Sequence, residues 1–139
     1  MPTLTPSYTP IVAALDTAMT LSPNDPTWHE AMVTLLSRRG TRDALIARGA
    51  KADAFPYLGM SALLLQTDDP TVIANAACLV AIGQWYMGDA SAHDTVAPFL
   101  SDHRMAHLIA MLLERGIPAH EWLNRMAEVD EATCLAFTG

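Results

Sequence analysis

Residues 76–122 constrain this chain more than any other stretch, because three apolar patterns of helical spacing follow one another there with short breaks between them. A run of that kind folds as consecutive antiparallel helices, each burying its apolar face on the next. No segment sustains the period-two alternation of a half-buried strand. The expected fold class is therefore all-α, an irregular bundle of about seven to nine short helices. Length supports one unit, since 139 residues suit a single core. The expected organisation is an extended Pro- and Thr-rich arm over residues 1–8, then one helical domain over residues 9–139.

The punctuation gives the helix order. A first helix is predicted over residues 9–20. Asp25 followed by Pro26 reads as a cap with a first-turn proline, opening a second helix that Gly40 should stop. Thr41 should cap a third, closed by Gly49 in a left-handed conformation. A fourth is predicted over residues 54–66 and a fifth over residues 71–87. The fifth is apolar nearly all round and should be enclosed by neighbours. Gly88-Asp89 breaks the chain, and Asp89 or Ser91 should cap a sixth helix containing Pro98. Ser101-Asp102 should open a seventh that ends at Gly116, Pro118 an eighth, and residues 129–137 a short ninth.

Composition narrows the function classes. The chain is 51% apolar with a formal charge of −7, which opposes nonspecific attraction to nucleic acid or anionic lipid. Residues 70–88 carry no charge and approach the length of a membrane span, but Asn75, Gly83 and Gln84 interrupt them and no basic anchor flanks them. A buried central helix is expected instead. Cys78 and Cys134 read as reduced core thiols, and the N-terminus has no signal-peptide pattern, so a cytoplasmic setting is expected.

Site chemistry is sparse. His103 and His107 stand four apart on a predicted helix, a spacing zinc sites use, but the glutamate of the metalloprotease pattern is missing and Arg104 lies between them. No metal and no cofactor are expected. The acid pairs Asp68-Asp69 and Asp130-Glu131 precede predicted helices, where capping accounts for them. There is no nucleophile elbow or phosphate loop, so no catalytic residue is assigned and the chain is not expected to be an enzyme. Trp28, Trp85 and Trp122 are expected to pack in the core with their indole N–H groups on backbone carbonyls; any exposed one, with Tyr86, becomes a candidate anchor for a protein partner.

Three segments carry a resemblance: TRDALI from Thr41, AACLVAIGQWYMGDASAH from Ala76, and DHRMAHLIAMLLERGIPAHEW from Asp102. They resemble the C-terminal helical part of an actinobacterial family catalogued as domain of unknown function 4192. The resemblance implies the order of the helices and a short form lacking the family's N-terminal region, as a phage or plasmid accessory protein would be. The family offers no established reaction to carry over. Residues 76–93 also resemble a tetratricopeptide-type helical hairpin, with Gly83 as the small residue and Gly88 in the turn.

Two functions from different classes follow. The first is a protein-interaction module whose helices offer an apolar face to another chain or to a second copy. The alternative is a nucleic-acid or phosphate-ligand-binding regulator using Arg38, Arg39, Arg42, Arg48 and Lys51, with a helix-turn-helix reading of residues 37–49.

Overall fold

The computed structural model describes residues 9–136, and the arm expected over residues 1–8 lies outside them. Nine α-helices and no strand occur among the described residues: α1 Thr9–Thr20, α2 Pro26–Leu36, α3 Arg39–Lys51, α4 Phe55–Ala62, α5 Pro70–Tyr86, α6 Ala92–Val96, α7 Arg104–Glu114, α8 Ala119–Ala127 and α9 Glu131–Ala136. The irregular all-α bundle is thus what forms.

Two helices organise it. α3 is packed by α1, α2, α8 and α9, while α5 is packed by α4, α6 and α7. Between them they bury Leu45, Ile46, Leu79 and Ile82 completely. The expectation of an enclosed fifth helix holds for its centre, since nearly every residue from Val72 to Gly83 is buried. Its two ends are not covered. Ile73 and Met87 are exposed.

Aspartate-proline pairs start α2 and α5. Asp25 accepts from the Thr27 N–H at 2.9 Å, with Pro26 in the first turn. Asp69 accepts from the N–H groups of Thr71 and Val72 at 2.9 and 3.4 Å, with Pro70 likewise. Each carboxylate satisfies orphan donors and faces the positive end of the helix dipole.

Three boundaries differ from expectation, each because a tertiary contact outweighs a local signal. Gly40 does not stop α2 but lies in the first turn of α3, the break falling at Ser37 and the extended Arg38. Thr41 is inside the helix, and its hydroxyl donates to the Leu35 carbonyl at 2.6 Å, closing the end of α2. Gly49 keeps helical geometry, and glycine is needed there because a Cβ would stand 2.5 Å from Leu58 Cδ1 and 3.2 Å from Phe55 Cε2. Glycine serves close packing at this position, and the left-handed residue is Asp53, with φ of 52°.

Two more adjustments concern the middle of the chain. α4 ends at Ala62, so Leu63 and Leu64 fall in a turn. After Gly88 the chain forms only a five-residue α6, which tightens into a 3-10 turn at Ala97–Phe99 around Pro98. The neighbour packed most extensively on α5 is α4.

Candidate functional site

A buried polar node joins four helices. Asn75 of α5 is 2% exposed. Its amide donates to the Leu36 carbonyl at the end of α2 at 2.7 Å, and its Oδ1 accepts from Arg42 Nη1 at 3.0 Å and from His103 Nε2 at 2.7 Å. His103 caps α7, where its Nδ1 accepts the Ala106 N–H at 3.1 Å. That bond assigns the tautomer: Nδ1 is the acceptor, so Nε2 carries the proton. Arg42 is itself buried, and its remaining donors reach Asp43 at 3.0 and 2.9 Å.

Cys78 lies beside this node, its Sγ 3.8 Å from His103 Nδ1. Thiol, imidazole and amide stand in the order that nucleophilic sites use, yet the details oppose activation. Burial pushes the Cys78 thiol up to about 12, with Arg42 acting weakly the other way. The Nδ1 lone pair that would take its proton is occupied by the Ala106 N–H. A protonated thiol facing a filled acceptor supplies no nucleophile. The node holds α2, α3, α5 and α7 in register.

The same geometry gives stability a pH dependence. His103 is held below the usual histidine value, first by burial and then by the positive charge of Arg42, with Asp102 pulling weakly the other way. The unfolded chain therefore takes up a proton that the folded chain refuses. Stability is full above about pH 6.5 and falls as pH drops from there towards the lowered folded value. Urea midpoints of the wild type should decline between pH 7.5 and 5 relative to His103→Asn, which keeps a capping side chain but does not titrate. Parallel curves would remove His103 as the cause.

The other sequence candidates are dispersed. Both His103 nitrogens are engaged within the chain and His107 is exposed. Among the described residues no group of three His, Cys, Asp or Glu is placed to hold a metal. Of the five bases, Arg42 is bound as above and Arg48 bridges Asp16 of α1 to Glu131 of α9. Arg38, Arg39 and Lys51 are exposed. Asp69 and Asp130 cap helices, the latter accepting from the Ala132 N–H at 3.1 Å.

The aromatic residues divide similarly. Trp28 is fully buried, so it offers no surface anchor, and its indole N–H has no hydrogen-bond partner among the described residues. Trp85 behaves as expected and donates to the Ile117 carbonyl at 3.0 Å. It packs on Trp122 at 5.9 Å between ring centroids, tying α5 to α8. Tyr86 is half-buried and donates to Asp53 at 2.6 Å.

The most distinctive surface feature lies between α4 and α5. The two backbones touch: a Cβ on Gly59 would stand 2.9 Å from Gly83 Cα, and one on Gly83 would stand 2.9 Å from Gly59 Cα. Close approach of this kind is available to glycine alone. On the solvent side of the crossing the helices enclose a shallow groove of about 270 Å³. Pro56, Gly59, Met60 and Leu63 form one wall; Val80, Gly83, Gln84 and Met87 form the other, with Asp89 at the end. Met60, Leu63 and Met87 are 60–62% exposed. Sequence reading missed this site, since residues 54–66 and 71–87 look equally apolar on all sides. The available signal was the pair of glycines, Gly59 and Gly83, inside two neighbouring apolar helices. No protein-family model, curated protein or solved structure matches the chain.

Proposed function

We propose that the protein is a protein-interaction module whose working surface is the α4–α5 groove, occupied by a helix of another chain. One observation carries this reading. The large exposed apolar side chains among the described residues are Tyr57, Met60, Leu63, Leu64, Ile73 and Met87, and all belong to α4, α5 or the turns that end them. Met60, Leu63 and Met87 of these line the groove together, and exposed side chains gathered along one crossing describe a docking face. Methionine at two of these positions suits it to adaptable contacts.

The resemblance to the domain of unknown function 4192 family belongs to the same proposal, its three segments falling on α3, on α5 with the following turn, and on α7 and α8. A cytoplasmic setting suits two free, buried thiols. The groove has the form of a helix-recognition surface and calls for no reaction. Selection from a displayed library of four-turn helices of mixed charge should yield binders whose affinity falls at least about a hundredfold on Leu63→Glu. Changing Arg38 and Arg39 to Ala should leave them unaffected. Binders insensitive to Leu63→Glu, or sensitive to the arginine changes, would contradict the reading and favour the basic stretch.

A further inference from the structure

We infer that the α4–α5 groove takes a basic amphipathic helix, an apolar row about two turns long flanked by Lys or Arg. This rests on the groove being the docking surface and adds the chemistry of its occupant. Charge selects the occupant. All of the exposed large apolar side chains lie between Lys51 and Arg104, a stretch without a single Lys or Arg. The same stretch contains six aspartates and no glutamate, and so carries −6 of the formal −7. Each of those aspartates is exposed.

Their positions relate to the groove. Asp89 lines it directly. Asp53 is held at the same end by the Tyr86 hydroxyl, which donates to it. A helix seated along the groove meets apolar contact beneath it and the negative charge of Asp89 and Asp53 at one end, a pattern that steers and retains a basic partner.

Length and shape agree. Val80, Gly83, Gln84 and Met87 stand at i, i+3, i+4 and i+7 of one helix, a row that spans about 10 Å, or two turns. A second copy of the chain is a poor occupant. An isologous contact presents the same surface on both copies, and residues 52–103 hold no Lys or Arg to pair with Asp89 and Asp53 of the facing copy. An anionic lipid surface would meet the same lack of bases.

The test uses two displayed libraries of four-turn helices, both varied over Leu, Ile, Met and Phe at i, i+3, i+4 and i+7. One has Lys or Arg at the flanking positions and the other Glu or Asp. The basic library should yield binders at least about tenfold tighter than the acidic one at low salt, an advantage that shrinks as ionic strength rises. Asp53→Asn with Asp89→Asn should narrow it further, and Leu63→Glu should abolish binding while leaving the helical circular dichroism and urea midpoint unchanged. Equal yield from both libraries, still lost on Leu63→Glu, would overturn the basic partner and leave the groove standing. No binder from either library would overturn both. A dimer of the protein alone that Leu63→Glu dissociates would identify a second copy as the occupant and overturn the inference.

Discussion

Asn75→Leu is expected to lower the stability of the fold by about 3–5 kcal/mol. Leucine keeps the branched heavy-atom skeleton of asparagine in a buried, mostly apolar helix, and its bulkier methyl groups add a steric cost to contacts of 2.7–3.0 Å that is not the main one. The loss comes from the groups left behind. The Leu36 carbonyl, one Arg42 N–H and the His103 Nε2–H all make their bonds to Asn75. None of them can turn to solvent without moving a helix. A buried donor or acceptor without a partner costs the whole of its desolvation, and one on a charged group costs more. Thermal unfolding followed by circular dichroism should show a drop of about 10–20 °C in Tm. Pairing the change with Arg42→Met should cost less than the two single changes added together, because the guanidinium is then no longer buried unpaired. A drop of only a degree or two for Asn75→Leu would mean that the node contributes little to holding α2, α3, α5 and α7 together.

Gly83→Val is expected to cost about 3 kcal/mol and to remove partner binding in the fraction that still folds. The new Cβ would stand 2.9 Å from Gly59 Cα and 3.0 Å from the Phe55 carbonyl oxygen. Both neighbours are backbone atoms, so neither can rotate away, and α4 must lift from α5. Replacing a helical glycine gains at most about 1 kcal/mol in propensity, which does not offset the clash. Urea unfolding of Gly83→Val and of Gly83→Ala should both show lowered midpoints, the valine form lower. A raised midpoint for the alanine form would mean that propensity outweighs the contact and that the helices are not held at touching distance.

The helices were legible in the sequence because their local signals agree with their surroundings. Asp25-Pro26 and Asp69-Pro70 cap where their chemistry says they should, and the stripe of α7 buries Met105 and Ile109. Local reading failed at Gly40, Thr41 and Gly49, where what decides the conformation is a residue elsewhere: the end of α2 for Thr41, the ring of Phe55 and the methyl of Leu58 for Gly49. The polar node was out of reach for the same reason. Asn75 read as an interruption in an apolar run, Arg42 as part of a basic cluster and His103 as a metal candidate, yet they meet across 33 and 28 positions of chain. The groove depends on which side of α4 and α5 remains uncovered, and helices that are apolar all round carry no such mark.

The central claim is that the surface between α4 and α5 is where another protein docks. It is tested most directly by nuclear magnetic resonance titration of isotopically labelled protein with a helix selected from the basic library. The account predicts amide shifts concentrated at Met60, Leu63, Val80, Gln84, Met87 and Asp89. Shifts centred on Arg38, Arg39 and Lys51, or on Trp85 and Trp122, with the groove-lining residues unmoved, would contradict it.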